Sequence, residues 1–377
     1  MTAPINGFCD PRFEPVKTAF AENFSKHADV GASVAVTHEG RFVVDLWGGH
    51  LDAERTTPWR EDTIVNVWSS TKPMAAMCLL LLADRGEVDL YASASKYWPE
   101  FAQNGKAGVE VRHFLSHNAG LSGMDERVEG DALYDWEWMT NALARQAPWW
   151  EPGTQSGYHA LTQGHLIGEL VRRVTGQSLG AFYRKEIAEP LGADFHVGTS
   201  EDNDPRIGNL IPPAQGVQTR NDNSIASRTF ANPAVNVSAT RTRAWRAAEI
   251  PAANGHGNAR SIVRAQTHMA NGGSAFGKTI MSEAGAARIF DKQSATQDLV
   301  LGLPIVFGMG YGLSTPQFPL GPSERIAYWG GYGGSTVVVD PDKRLCVSYV
   351  MNRMEGGLLG DPRGFGLLQA AYASLKG

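Results

Sequence analysis

The sequence predicts an α/β (α+β) fold in which one antiparallel sheet is built from both chain ends and flanked by helices. Two pairs of strand-like segments, one near each end, and a helical pattern of apolar residues between them lead to this prediction. We expect a sheet domain formed by residues 1–90 and 255–377, with a mostly helical domain inserted over 91–254. An active site would then lie in the cleft between the two domains.

The first part of the sheet is predicted from alternating residue types. A helix over 13–27 is followed by strand-like segments at 32–37 and 42–47, and Glu39-Gly40 between them is typical of a tight turn. We therefore expect a helix followed by a hairpin.

A long apolar run after this hairpin predicts a buried helix. The run covers the eleven residues from Pro73 to Ala83, with Pro73 in the first turn and Gly86 placed to end the helix. A membrane-spanning helix needs roughly 20 apolar residues, and this run, the longest in the chain, is well short of that. The helix should therefore lie in the core.

The middle and the end of the chain supply the remaining elements. Apolar residues at helical spacing indicate helices over 161–175 and 179–188, whereas 205–232 is predicted to be a long irregular stretch. The last predicted elements are a hairpin of strands 335–339 and 345–350 and a closing helix over 365–375.

Composition limits the kind of partner. The net charge of −5 and the isoelectric point near 6.1 give no electrostatic reason to expect nucleic acid or an anionic membrane. Cys9, Cys78 and Cys346 are odd in number and far apart, which favours neither a disulfide framework nor a metal site. The first thirty residues lack the pattern of a signal peptide, so we expect a cytoplasmic protein. A small neutral substrate and no cofactor fit these observations.

The most informative motif is Ser69-Ser70-Thr71-Lys72, at the start of the apolar run. Residues at i and i+3 of a helix share a face, so the Lys72 amine can reach the Ser69 hydroxyl and take its proton. This is the chemistry of an activated serine nucleophile. A second copy of the pattern at 93–96 has no helix to orient it and is predicted to be a loop. We therefore assign the nucleophile to Ser69.

Two other segments offer the groups that such a nucleophile needs. Tyr158 follows a turn-rich segment just before the 161–175 helix, where its phenol could carry a proton. The glycine-rich run from Trp329 to Ser335 enters the last hairpin, where a backbone N–H could face a developing oxyanion. Each segment alone is weakly specific, because turns often carry tyrosine or glycine without any catalytic role.

Together these segments carry a family resemblance. Ser69-x-x-Lys72, Tyr158-His159-Ala160 and Trp329-Gly330-Gly331, in this order, resemble the three motifs of the serine β-lactamase and penicillin-binding-protein fold. The segments 113–121 and 189–193 also match the family's usual sequence, so the resemblance covers nearly the whole chain. It is strongest to the family VIII carboxylesterases, the esterase branch related to class C β-lactamases.

The resemblance implies roles for individual residues. Ser69 would be the acylated nucleophile, with Lys72 and Tyr158 as the proton-transfer pair, and the backbone N–H groups of Ser69 and Tyr332 would form the oxyanion hole. The expected substrate-binding residues are Trp329, Gly330, Gly331 and His159, with a structural role as the alternative for His159. Which member of the pair is the resting base stays open, because two coupled groups do not titrate separately.

Two positions depart from the β-lactamase pattern. Trp329 stands where the third motif normally has the lysine that grips a substrate carboxylate, and Ala160 stands where the second motif normally ends in asparagine. Tryptophan offers an apolar face and one N–H, which suits a neutral ester better than an anionic β-lactam.

Three other motifs have simpler explanations. Gly176-x-Ser178-x-Gly180 follows a helix, whereas a hydrolase nucleophile elbow follows a strand. The P-loop pattern at 272–279 also follows a helical segment and is predicted to be a loop between helices. His113 and His117 have metal-ligand spacing but no evident third ligand, which favours a helix-end or interface role.

The sequence therefore predicts a serine esterase that hydrolyses small neutral carboxylic esters through an acyl-enzyme on Ser69. A β-lactamase, a D-amino peptidase or an acyltransferase could use the same nucleophile. A P-loop nucleotide-binding protein and a penicillin-binding-like module without catalytic activity are the alternatives from other classes.

Overall fold

The computed structural model describes residues 4–216, 222–234 and 236–376. Its described strands are β1 Ile5–Cys9, β2 Gly31–His38, β3 Arg41–Gly49, β4 Val65–Asn66, β5 His196–Val197, β6 Gly255–Gly257, β7 Ser274–Ala275, β8 Lys278–Thr279, β9 Ser294–Gln297, β10 Pro304–Phe307, β11 Gly312–Leu313, β12 Ala327–Gly330, β13 Thr336–Asp340 and β14 Leu345–Met351.

Nine of these strands form one antiparallel sheet in the order β1-β3-β2-β14-β13-β12-β11-β10-β9. The two chain ends meet in its centre, where β2 pairs with β14 and Val36 lies opposite Val347. The prediction of a sheet built from both ends is therefore confirmed. Strands β9 to β11 extend the sheet beyond the predicted hairpins, and they have only two to four residues each, too few for a clear alternation in the sequence.

Helices cover both faces of the sheet and lie between its strands along the chain. They are α1 Glu14–Lys26, α2 Lys72–Asp84, α3 Val111–Leu115, α4 Trp136–Arg145, α5 Thr162–Thr175, α6 Leu179–Tyr183, α7 Glu189–Leu191, α8 Ile225–Ala231, α9 Arg243–Ala247, α10 Ala259–Ala270, α11 Glu283–Ala287 and α12 Pro362–Ser374. None of the helices in the described ranges is long and apolar enough to cross a membrane.

Strand β2 shows how the sheet is covered. Ser33 and Thr37 hydrogen-bond to α10, through the N–H of Ala259 and the hydroxyl of Thr267. Successive strand residues point to opposite faces, so Ala32, Val34 and Val36 face away from α10 and are also buried. Helices α1 and α12 pack against each other and against β3 and β14. A sheet buried on both faces explains the apolar runs in its central strands.

Helix α2 is apolar on all sides because other elements surround it. It packs against α5, α6 and α11, and Lys72 to Leu82 are all buried. The predicted buried helix is therefore confirmed, and Gly86 has the positive φ of +74° expected just after a helix end. The amino-terminal end of this helix carries Ser69 and Lys72.

Two details differ from the sequence-based expectations. Helix α8 lies within the predicted irregular stretch 205–232, of which residues 217–221 are outside the described residues. The P-loop-like segment 272–279 contains a small hairpin of β7 and β8 between α10 and α11, where a loop was expected. The division of the chain into a sheet domain and a helical domain at the stated boundaries stays a prediction.

Candidate active site

The site begins with the turn that precedes α2. Ser69–Thr71 form a single 3₁₀ turn after Trp68, whose φ of +48° is rare for a residue with a side chain. Thr71 Oγ1 accepts the N–H of Gly255 at 2.8 Å, and Ser70 Oγ lies 2.9 Å from Ser335 Oγ. The turn is therefore tied to β6 and to the entrance of β13, which fixes the position of Ser69.

The structure brings the predicted nucleophile and the predicted proton-transfer pair together. Ser69 Oγ and Tyr158 Oη share a short hydrogen bond, and Lys72 Nζ lies 3.3 Å from Ser69 Oγ. Lys72 Nζ also lies 4.7 Å from the centre of the Tyr158 ring. All three side chains are buried, so their hydrogen bonds are shielded from competing water.

The surroundings of Lys72 favour a neutral amine. Its Nζ donates to the carbonyl oxygens of Ala160 at 2.7 Å and Ala252 at 2.9 Å. Burial lowers the pKa of Lys72 well below its usual value. A neutral amine has two N–H donors and one lone pair. Because the two carbonyls use both donors, the lone pair is left to face the hydroxyl of Ser69.

The surroundings of Tyr158 favour the protonated phenol. Burial raises its pKa above the usual value, and the Ser69 hydroxyl and the Trp329 indole oppose that rise without cancelling it. The backbone N–H of Tyr158 donates at 3.0 Å to Oδ1 of Asp298, which also accepts the N–H groups of Val300 and Leu301. Asp298 thus holds the Tyr158 segment, and no motif in the sequence pointed to it.

Trp329 lies behind Tyr158. Its side chain is only 2% exposed, and its ring centre is 5.6 Å from that of Tyr158 and 5.9 Å from that of His117. Among the described residues, its N–H has no partner with normal hydrogen-bond geometry. The indole and the Tyr158 ring thus share a buried aromatic cluster, and the role of Trp329 in lining the substrate cleft stays a prediction.

The other expected substrate-binding residues are also buried in the frame of the site. Nε2 of His159 accepts the N–H of Leu121 at 3.1 Å, and Nδ1 pairs with the Gly157 carbonyl at 2.6 Å, so backbone groups use both ring nitrogens. A Cβ on Gly331 would lie 2.1 Å from the carbonyl oxygen of Val67, and one on Gly330 would meet the backbone of residue 359. These residues hold strands and loops close together, and their role in substrate binding stays a prediction.

A cavity of about 480 Å³ opens over Ser69. Within residues 4–216, 222–234 and 236–376, the lining residues are mostly apolar and none of them is charged: Trp68, Ser69, Tyr158, Ala160, Leu161, Gly216, Thr229, Phe230, Pro233, Ala234, Asn236, Val237, Ala253, Tyr332 and Leu358. The predicted oxyanion residues, Ser69 and Tyr332, both line it. One wall comes from residues 229–234, 236 and 237, which carry no catalytic motif and which sequence reasoning therefore missed.

The serine of the Gly-x-Ser-x-Gly motif and the two histidines at metal-ligand spacing have structural roles. Ser178 Oγ caps α6 by accepting the N–H of Ala181 at 3.3 Å, as expected for a serine at a helix start. Nδ1 of His113 accepts the N–H of Glu110 at 3.2 Å in a capping box of α3. His117 accepts the N–H of His159 at 3.0 Å. The two histidines therefore serve backbone groups, in line with the helix-end and interface roles predicted for them.

Comparison with known sequences gives a consistent result. Residues 18–371 match the family model described as Beta-lactamase. The chain is 35% identical to Esterase/beta-lactamase LipL of Mycobacterium tuberculosis, in an alignment that covers 96% of this chain and 86% of LipL. It is 32% identical to Esterase EstB of Burkholderia gladioli over 180 residues, 43% of this chain and 45% of EstB.

Solved structures resemble this one closely. A crystal structure of a family VIII carboxylesterase has 42% sequence identity and a TM-score of 0.93, and the match covers 98% of this chain and all of the other. A penicillin-binding-protein homologue from Caulobacter crescentus has 36% identity with the same TM-score and coverage. These matches confirm the predicted fold class.

Proposed function

We propose that this chain, which belongs to the beta-lactamase family and is a serine carboxylester hydrolase, cleaves small neutral esters through an acyl-enzyme on Ser69. One observation carries the proposal: the Ser69 hydroxyl lies between the buried Lys72 amine and the Tyr158 phenol, at the base of a cavity whose described lining residues carry no charge. The partner is therefore a small-molecule ester.

Acylation begins with transfer of the Ser69 proton to the Lys72 amine. As the proton leaves, Ser69 Oγ forms a bond to the ester carbonyl carbon, and the carbonyl oxygen takes up the negative charge. The backbone N–H groups of Ser69 and Tyr332 would stabilise this oxyanion. The carbon–oxygen bond to the alcohol then breaks, and the alcohol leaves with a proton from Tyr158. The Lys72 ammonium then gives a proton to the Tyr158 phenolate.

Deacylation uses the same groups in reverse. A water molecule enters the place of the alcohol and gives a proton to the Tyr158–Lys72 pair as its oxygen attacks the acyl carbon. The bond to Ser69 Oγ breaks, and Ser69 recovers its proton. The carboxylic acid product leaves, and no cofactor takes part in this proposal.

The uncharged cavity supports a neutral substrate. A β-lactam carries a carboxylate, which would need a cation or several donors to replace the water it loses on binding. Trp329 stands in place of the motif lysine and is buried behind Tyr158, so it supplies no charge. A short neutral ester has no carboxylate and therefore needs no cation in the site.

Labelling with a serine-reactive fluorophosphonate tests the nucleophile directly. We expect one modified peptide, the one that contains Ser69, and loss of ester hydrolysis in proportion to labelling. Modification of any other serine, with hydrolysis lost at the same rate, would contradict the proposal.

A further inference from the structure

The turn that carries Tyr332 is held in an unusual conformation. The N–H of Gly331 donates to the carbonyl of Ser335 at 2.8 Å, and the N–H of Gly334 donates to the carbonyl of Gly331 at 3.1 Å. Gly333 and Gly334 have φ angles of +103° and +127°, which residues with side chains rarely adopt. A turn of this kind needs contacts from outside itself to keep a single conformation.

Arg363 supplies such a contact from the first turn of α12. Its guanidinium is 2% exposed, and Nη2 donates to the Gly333 carbonyl at 2.7 Å. The N–H of Glu355 donates to the same carbonyl at 2.9 Å. The Gly333 carbonyl, one residue from Tyr332, is therefore held by two donors.

The guanidinium is itself held from several directions. Nη1 donates at 2.7 Å to Oδ1 of Asp29 and at 2.8 Å to the carbonyl of Arg353, and Nη2 donates at 2.5 Å to Oδ2 of Asp361. Oδ2 of Asp29 accepts the hydroxyl of Tyr349 at 2.5 Å. This buried cluster joins residues from β14, from the segment before β2 and from the start of α12, so it fixes the guanidinium relative to the whole sheet.

The turn is pressed directly onto this cluster. A Cβ on Gly334 would lie 2.2 Å from Oδ2 of Asp361 and 2.6 Å from Nη2 of Arg363. Buried ion pairs often contribute little to stability compared with apolar residues of similar size. Stability alone therefore does not explain a buried arginine with several hydrogen bonds beneath this turn, and its contacts indicate that it positions the turn.

We propose that Arg363 is a positioning residue for the oxyanion hole, because it holds the Gly333 carbonyl and thereby the turn that presents the Tyr332 N–H to the substrate. The inference rests on the proposed function, in which that N–H stabilises the oxyanion. Asp29 and Asp361 act through Arg363, and none of the three touches the substrate.

Two variants test the inference. Arg363→Lys keeps the charge, but one ammonium group cannot bond Asp29, Asp361 and Gly333 with the same geometry. Asp361→Asn keeps the side-chain volume and the oxygen acceptor that caps α12. It removes the negative charge and one of the two oxygens that bond the guanidinium. For each we would measure kcat and KM with a short p-nitrophenyl ester and the inhibition constant of an alkyl boronic acid, whose adduct with the nucleophile places an oxygen in the oxyanion hole.

We expect kcat to fall about tenfold or more in Arg363→Lys and about threefold in Asp361→Asn. Both losses should be smaller than the loss of about 10²-fold that follows complete removal of an oxyanion-hole donor. KM should stay within about twofold, and boronate inhibition should weaken by the same factor as kcat falls. Glu169→Gln is the matched control: Glu169 is also buried and pairs with Arg172 and Arg173. It should lower the unfolding temperature with kcat unchanged per folded molecule.

Wild-type kcat and boronate inhibition in both variants, with unfolding temperatures lowered as in Glu169→Gln, would overturn the positioning role. If Arg363→Lys does not fold, Asp361→Asn decides by the same criteria. Failure of the proposed function is a different result, because it would appear in the wild-type protein as absence of ester turnover or of labelling at Ser69.

Discussion

At the scale of single residues, the chemistry depends on how many partners each polar group has. Lys72 has two carbonyl acceptors and one hydroxyl neighbour, and burial lowers its pKa, which favours the neutral amine. Tyr158 lies on the other side of the same hydroxyl, with its pKa raised by burial. The resting pair that we infer is therefore a neutral amine as the base and a neutral phenol as the acid.

Ser69→Ala should abolish ester hydrolysis and leave the fold intact, because only one hydroxyl is removed. The measurement is kcat with a butyrate ester, together with circular dichroism. Ser178→Ala and Ser93→Ala are matched controls, since both serines cap short helical turns and should cost only about 1 kcal/mol of stability. Loss of activity in a folded Ser178→Ala enzyme would contradict the assignment of the nucleophile.

The pH dependence of kcat/KM should report Lys72. Because burial lowers its pKa, the amine is neutral above that lowered value and becomes an ammonium as the pH falls through it. Activity should therefore already be present well below the pH at which an ordinary lysine loses its proton, and it should be lost as the pH falls through the lowered pKa. A lysine with an ordinary pKa of about 10.4 would instead give full activity only in strong alkali, and that profile would rule out Lys72 as the resting base.

At the scale of elements, the site depends on short loops that stable elements hold in place. The Tyr158 segment precedes α5 and is fixed by Asp298, which follows β9. Helix α2 positions Lys72 and Ser69 because its whole circumference is buried. Loop contacts should therefore affect catalysis, and contacts within the helix should affect stability.

Asp298→Ala should lower kcat about tenfold or more, because three N–H groups lose their acceptor and the Tyr158 segment loosens. Asp298→Asn is the matched control, since its side-chain oxygen can still accept from the same groups, and most activity should be kept. Steady-state kinetics on both variants make the comparison. Equal kcat in Asp298→Ala and the wild type would show that Asp298 does not position the Tyr158 segment for catalysis.

Leu79→Ala should destabilise the protein by about 2–5 kcal/mol, because Leu79 is fully buried in α2 and its removal leaves a cavity. The free energy of unfolding in urea gives the value. Leu303→Ala is the control: Leu303 is 52% exposed and the change should stay within about 0.5 kcal/mol. Equal effects of the two substitutions would mean that α2 is not part of the core.

At the scale of the whole molecule, the cavity is assembled from segments that are far apart in sequence. Its described lining residues come from the turn before α2, the start of α5, residues 229–234, 236 and 237, and the loops at Tyr332 and Leu358. None of these described residues contributes a charge. Discrimination between substrates should follow from the absence of charge among them.

A butyrate ester should therefore have a higher kcat/KM than a chromogenic cephalosporin on the same preparation. Loss of one charge-assisted hydrogen bond to the carboxylate is worth about 1.5–3 kcal/mol, or roughly 10- to 150-fold. Equal or better turnover of the cephalosporin would show that another residue holds the carboxylate, and the ester proposal would give way to a β-lactamase.

The sequence by itself determined the features that depend on local spacing. The i, i+3 relation of Ser69 and Lys72, the apolar run of α2 and the two terminal hairpins are readable because side-chain periodicity follows directly from helix and strand geometry. The class of fold and the candidate nucleophile were therefore predictable.

Only the tertiary structure decided the features that depend on contacts between distant segments. The carbonyls of Ala160 and Ala252 that hold Lys72, and the carboxylate of Asp298 behind Tyr158, carry no local signal. The packing of the Trp329 indole behind the Tyr158 ring also carries no local signal. The physical reason is that burial and hydrogen-bond partners come from packing across the chain, and one sequence records the residue types without their neighbours.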